Sequence, residues 1–369
     1  MGAPDVLIAG AGVIGAACAR ALATRGLSVA LLDAGPLPGP ATAASAGMLP
    51  PLVEARPDDP LLGVSIRARD LYRELAPALA DETGVDIGLW TEGILQVAFT
   101  EAEADRLKDG VAWQRQQGHH AEWLSADELR EHAPGISPDA IGAALAAEDG
   151  ALDPAALHDA LIKSATAKGT TLARGSAVEG LVIENDQVTG VRTPSGVRAA
   201  GAVLVAAGCW SGRIGGLPRP LSVEPVRGQM AVLPWPRGVS AAIAFGGGGY
   251  VVHRNGEAIA GATVEFAGFD TSVTESGIAQ VVGSARRLYP ALERAAIGRR
   301  VAGLRPGTPD GRPFVGRDPA VSNLWYAAGH GRHGILLAAM TGEIIAGLWV
   351  GERSEFDLSP LDPGRFWKS

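Results

Sequence analysis

Apolar positions in this chain fall into short unbroken runs and longer stretches of helical spacing, and the two alternate from the start. Val6 to Ala9 is an unbroken apolar run, the pattern of a strand buried on both faces. Val13 to Arg25 then reads as a helix stopping at Gly26, and Ser28 to Leu32 as a second strand. Residues 58 to 83 have helical spacing, with Leu62, Ile66, Leu71 and Leu75 expected to face inward. Gly93 to Thr100 alternates like a strand. Glu101 to Gln117 and Ala126 to His132 predict helices, the second with Ser125 as N-cap and Glu128 completing a capping box. Pro154 to Lys168 predicts another helix, closed by Gly169. Val178 to Glu184 and Val188 to Thr193 predict a hairpin turning at Asn185-Asp186. Gly201 to Ala206 is a further strand, and the glycine turn after it, Ala207 to Ser211, is expected to lead into a helix.

From about Leu221 to Arg299 the pattern changes. Strands with glycine turns (Met230 to Leu233, Tyr250 to His253, Ala258 to Ala262) surround one helix near Glu275 to Tyr289. After Arg300 come short buried strands, glycine loops and a last helix, Gly334 to Val350. This layout predicts an α/β protein with a discontinuous Rossmann-like nucleotide-binding domain built from residues 1–80, 150–220 and 300–369. An α+β substrate domain, residues 81–149 and 221–299, is expected to be inserted twice between those pieces. No internal repeat or low-complexity tract interrupts the pattern.

The first apolar run carries the most specific chemistry. It opens Gly10-Ala11-Gly12-Val13-Ile14-Gly15, and Asp33 closes the next strand. Gly10 suits a tight turn, Gly12 a close approach of backbone to a pyrophosphate, and Gly15 close packing of helix on strand. The helix start directs free N–H groups and its positive dipole end at the phosphates. Asp33 is placed to accept hydrogen bonds from the adenosine ribose and argues against a 2′-phosphate there. The motif alone leaves FAD and NAD open.

Composition narrows the partners. Net charge is −8, from 32 basic and 40 acidic residues, without a Lys/Arg-rich run, so nucleic acid is not an expected partner. The two cysteines, Cys18 and Cys209, lie far apart, and none of the seven histidines shows metal-ligand spacing, so no metal is expected. Gly334 to Val350, the most apolar late stretch, is interrupted by Glu343 and is short for a membrane span. The first strand begins at residue 5, without room for a signal peptide before it, so cytoplasmic residence and no membrane association are expected.

Several segments together resemble the D-amino-acid oxidase superfamily of FAD-dependent oxidoreductases. They are the early glycine signature, Ser45-Ala46-Gly47-Met48-Leu49, Ala206 to Ser211, Ala302 to Pro313 with its Gly303-Leu304-Arg305-Pro306-Gly307-Thr308 core, and Ala328 to Ala338. Their order and spacing are most similar to the glycine oxidases of bacterial thiamine thiazole synthesis, over essentially the whole chain. The resemblance implies FAD rather than NAD, held non-covalently because the late motifs hold no cysteine. It also implies a large antiparallel sheet roofing the flavin. The expected reaction is oxidation of the C–N bond of glycine or another small amine or D-amino acid, with electrons passing to O2. Imine or keto acid, ammonia and hydrogen peroxide are the expected products. The same likeness suggests a homo-oligomer, tetrameric by analogy.

By the same resemblance, Arg305 is the carboxylate clamp, a guanidinium that forks onto the anion and stays charged when buried. Tyr250 corresponds to the active-site tyrosine. Arg332 lies near flavin and substrate, either as a second carboxylate contact or as compensation for charge on the reduced flavin. Cofactor contacts carried over are Val13 and Ile14 by backbone, Asp33 and Ala34 at the ribose, and Ala41 and Thr42 near the pyrophosphate. Ala46, Gly47 and Met48 are expected along the isoalloxazine, Val178 at the adenosine, and His330, Gly331, Arg332, His333, Gly334, Ile335 and Leu336 around the flavin. No side chain presents itself as a catalytic base, and hydride departure from a neutral amine needs none. Asp33 stands where glutamate is commoner in the family, and the run Gly246 to Gly249 before Tyr250 suggests a wider entrance. A dehydrogenase of the same fold, passing electrons to a quinone, fits these residues too. A flavin-binding sensor is disfavoured by the arginine pair and the tyrosine.

Overall fold

Val6–Ala9 is apolar throughout because it forms the centre of a sheet covered on both faces. A computed structural model describes residues 2–367. The strand lies between Ala202–Val205 and Val29–Leu32, parallel to both, in a six-stranded sheet. Thr171–Ala173 extends one side in parallel, Leu324–Ala328 the other, and Phe314–Arg317 closes that edge as an antiparallel strand. Alternation decides which side chain meets which layer. Val6 and Ile8 pack with Cys18 and Leu22 of helix Val13–Thr24 and Ile345 of helix Gly334–Trp349. Leu7 and Ala9 pack the other way, against Leu181, Val188 and Val191 of a three-stranded meander built on the expected hairpin. Among the described residues no helix is long and apolar enough to cross a membrane.

The second sheet has eight strands, ordered Arg299–Gly307, Glu224–Pro234, Glu257–Gly261, Gly249–Arg254, Ile243–Gly246, Ile94–Ala98, Gly142–Ala146 and Ala121–Ser125. All neighbours are antiparallel except Ile243–Gly246 with Ile94–Ala98. One face receives helix Glu275–Leu288 through Ile278, Val281, Val282 and Leu288. The opposite face carries Met230, Val232, Val252 and Ile259 toward Ala46 and Met48, so it roofs the loops of the first sheet.

The sequence pattern and the structure part company in four places. The expected domain boundary at residue 300 falls inside a strand. Arg299–Gly307 pairs with the second sheet from Val232 opposite Arg299 to Glu224 opposite Gly307. The helix expected after Ala207 is only a 3-10 turn, Gly208–Arg213, because Pro218 and Pro220 soon forbid its continuation. Helix Leu62–Thr83 turns Val64, Ala68, Tyr72, Leu75 and Leu79 inward, leaving Leu62, Ile66 and Leu71 on its half-buried flanks. Ala121–Ser125 and Gly142–Ala146 pair in the sheet although their alanines carry little strand preference, which is tertiary context overriding local propensity.

One buried ion pair joins the lobes. Asp149 is 0% exposed, and its carboxylate accepts from Arg69 Nη1 at 3.1 Å and from the N–H groups of Leu52 and Val53, both at 2.9 Å. Gln114 Nε2 donates to Leu52 O at 2.8 Å and Gln96 Nε2 to Val53 O at 2.7 Å. The turn at residues 51–54 is thus strapped from three elements. Asp149→Ala leaves the N–H groups of Leu52 and Val53 without their acceptor and takes from Arg69 the innermost of its three carboxylates, Asp70 and Glu148 remaining, and is expected to cost about 1–3 kcal/mol. Equilibrium denaturant unfolding of the variant against the parent measures that loss.

Candidate active site

Where the first sheet's loops face the second sheet lies a cavity of about 1120 Å³, above the roughly 300–1,000 Å³ of an ordinary small-molecule site. It runs from Gly10, Gly12 and Asp33 past Ala46 to Met48 and on to Tyr250, Arg305 and Arg332.

The first end is shaped for a polyanion. Gly10 adopts φ +109°, and a Cβ there would meet the backbone of Ala206. A Cβ on Gly15 would collide with the carbonyl oxygen of Gly10, so helix and strand close only over glycine. Helix Val13–Thr24 starts at Gly12 without a side-chain cap, leaving its positive end toward the cavity. Thr42 Oγ1 accepts from Val13 N–H at 3.2 Å. Asp33 holds the turn, Oδ2 accepting from Ala11 N–H at 2.7 Å and Oδ1 from Gly35 N–H at 2.8 Å. The glycine-led helix start, the bare glycines and this volume fit an adenine dinucleotide.

At the other end Arg305 stands diagonally across the strand pair from Gly228. A Cβ on Gly228 would overlap the guanidinium, which therefore lies flat on bare backbone. Nη1 donates to Thr263 O at 3.0 Å. Burial pulls the Arg305 pKa down and the nearby Arg332 charge adds to that, while Tyr250 and Glu54 oppose it. Tyr250 sits on the roof beside Phe245, with ring centroids 5.4 Å apart, and its hydroxyl lies 3.4 Å from Met230 Sδ. Its pKa is pushed up to about 12, chiefly by burial and despite the Arg305 charge, so the phenol keeps its proton to donate. His330 lines the cavity, bonds Thr341 Oγ1 through Nε2 at 2.9 Å, and is pushed by burial down to about 3, hence neutral.

Most of the expected residues meet in this one cavity: Gly10, Gly12, Val13, Ile14, Asp33, Ala34, Ala41, Thr42, Ala46, Gly47, Met48, Val178, Tyr250, Arg305, His330, Gly331, Arg332, Gly334 and Ile335 all line it. Gly15, His333 and Leu336 do not. Gly15 packs helix on strand. Leu336 points into the helix core with Val13 and Tyr72, because successive helix positions turn away from the cavity face. His333 turns to Glu54, its Nε2 donating to Oε2 at 2.7 Å. Glu54 and Gly228 are the residues that sequence reasoning missed. Neither belongs to a motif. Glu54 receives Arg332 Nε at 2.5 Å, and although burial pushes its pKa up, His333 and Arg332 outweigh this and hold it below the usual range.

A glycine-clamped nucleotide fold opening onto a sheet-roofed cavity defines the class, a dinucleotide-dependent oxidoreductase. The chain belongs to the FAD dependent oxidoreductase (DAO) family, whose model matches residues 5–348. It is 36% identical to the glycine oxidase of Geobacillus kaustophilus over 97% of this chain and 96% of that protein. To the glycine oxidase of Bacillus subtilis it is 32% identical, over 96% and 95%. The crystal structure of the G. kaustophilus glycine oxidase superposes with a TM-score of 0.94 at 34% identity, covering 98% of each chain.

Gly228→Ala is expected to displace the Arg305 guanidinium and weaken a bound carboxylate by about tenfold or more, the worth of one charged hydrogen bond. Titration of the flavin's visible band with acetate reads the change, and FAD content is expected to stay at the parent level.

Proposed function

We propose that this protein oxidises the C–N bond of glycine and of other small amines, sarcosine and small D-amino acids among them, using non-covalent FAD and O2. The observation carrying the proposal is the Arg305 guanidinium, half-buried, flat on Gly228 and open to the cavity beside Tyr250. When bound, FAD would supply the two-electron acceptor for the substrate's Cα hydride and pass those electrons to O2, giving hydrogen peroxide. Arg305 binds the substrate carboxylate as a planar fork, and the Tyr250 hydroxyl donates to the same anion. Those two contacts fix the carboxylate, so Cα and the amine can turn in only a narrow arc under the roof. Catalysis is then mainly orientation. The roof shuts out bulk water until the imine leaves and hydrolyses to keto acid and ammonia.

Cys209 lines the cavity, but its Sγ donates to Leu304 O, and burial pushes its pKa up to about 12. A thiol so held is a poor nucleophile, which supports a flavin without a covalent link. Cytoplasmic residence and a homo-oligomer, tetrameric by likeness, belong to the same reading; light scattering on the purified protein tests the subunit number.

Arg305→Ala is expected to lose about 2–5 kcal/mol in kcat/KM, the cost of removing one partner of a buried charge pair, while the protein stays yellow. Steady-state assays with glycine, sarcosine, D-alanine and D-proline measure it. Undiminished turnover by the variant places the carboxylate elsewhere. Peroxide yield against dye reduction decides the acceptor: stoichiometric peroxide is expected, and reduction of dye without peroxide identifies a dehydrogenase instead.

A further inference from the structure

Glu54 brings a negative charge to the substrate end of the cavity. The other acidic lining residues, Asp33 and Glu179, lie with the nucleotide loops beside Gly35 and Val178. Glu54 is 23% exposed at its side chain, and its Oε2 bridges Arg332 Nε at 2.5 Å and His333 Nε2 at 2.7 Å. Its backbone is equally fixed, since Leu52 and Val53 just before it are held by Asp149, Gln114 and Gln96. Arg332 is 54% exposed and lines the cavity with Arg305, but its charge is already answered by Glu54.

We infer that Glu54 is a specificity-determining residue: by pairing with Arg332 it leaves Arg305 as the unpaired cation beside Tyr250, the third lining arginine, Arg213, lying over the Phe269 ring with its Cζ 3.9 Å from the centroid, and so restricts the site to amines bearing a single carboxylate. This rests on the amine-oxidising reading above. A monocarboxylate neutralises Arg305 and brings the substrate end to balance. A dicarboxylate adds a second anion beside an occupied Arg332 and faces Glu54 at close range, where like charges repel strongly. Arg332 is accordingly not a second carboxylate contact while Glu54 is ionised.

The test uses the FAD-loaded protein and two unreactive carboxylates, butyrate and glutarate, which replace the amine of sarcosine and of iminodiacetate by methylene. Perturbation of the flavin spectrum gives the Kd of each. The parent is expected to bind glutarate at least about tenfold more weakly than butyrate. Glu54→Gln keeps an oxygen for Arg332 but removes the charge, and is expected to bring the two within about threefold, with butyrate itself little changed. Glu54→Asp keeps the charge and should keep the parent preference. Arg332→Ala leaves Glu54 uncompensated and must widen the gap, which keeps the inference testable if Glu54→Gln folds poorly. Equal binding of both ligands by the parent, an unchanged ratio in Glu54→Gln, or an unwidened gap in Arg332→Ala overturns it. Failure of the broader reading looks different: no amine bleaches the parent flavin and neither carboxylate perturbs it.

Discussion

The guanidinium of Arg305 lying on bare backbone is the constraint around which the cavity is organised. A guanidinium drawn partly out of water is costly unless its donors are met, and half-buried Arg305 has five. Among the described residues it makes one protein hydrogen bond, from Nη1 to Thr263 O. Its unmet donors face the cavity, so the folded protein carries a standing demand for an anion there. The demand can exist only because strand Arg299–Gly307 is gripped along its length by Glu224–Pro234, with Gly228 opening a place for a flat cation. Gly303 answers from the other strand: a Cβ there would overlap that of Ala44, in the loop running toward Ala46 and Met48. Gly228 thus makes room for the guanidinium within the roof sheet, and Gly303 lets that sheet close on the end of helix Pro40–Ala43.

Legibility in the sequence follows how local each cause is. The first strand, turn and helix were readable because everything that shapes them lies between Val6 and Asp33: an apolar run, the turn at Gly10 and a carboxylate that caps Ala11. The capping boxes at Thr100 and Ser125 are equally local, and the second was legible from its spacing alone. Strand Arg299–Gly307 was assigned to the wrong lobe because its partner lies some seventy residues earlier and its own residues are largely polar or small. Glu54 was invisible for the same reason carried further. It stands in an aperiodic loop, and what aims it is Asp149, nearly a hundred residues on, itself held by Arg69 from another helix. That Arg305 and Tyr250 would line the cavity came only through resemblance, since an arginine and a tyrosine on strands have no spacing rule that marks them.

The titratable groups near Arg305 and Tyr250 are engaged or muted by burial, and this shapes what chemistry the site can do. Tyr250 stays protonated because burial opposes a phenolate. His330 is neutral, with Nε2 engaged by Thr341 in a buried pair. Glu54 is ionised and occupied by Arg332 and His333, which makes it a weak base at neutral pH. A site lacking an available base cannot pull a proton from Cα as a separate event. In the proposed reaction such a site holds an amine that has already lost its proton and presents the Cα–H bond in one direction. That division of labour places the thermodynamic burden on the cofactor and the geometric burden on the protein. It also explains why the protein's investment is in rigid placement, with a strapped loop, a glycine shelf and a sheet roof, rather than in titratable groups poised near neutrality.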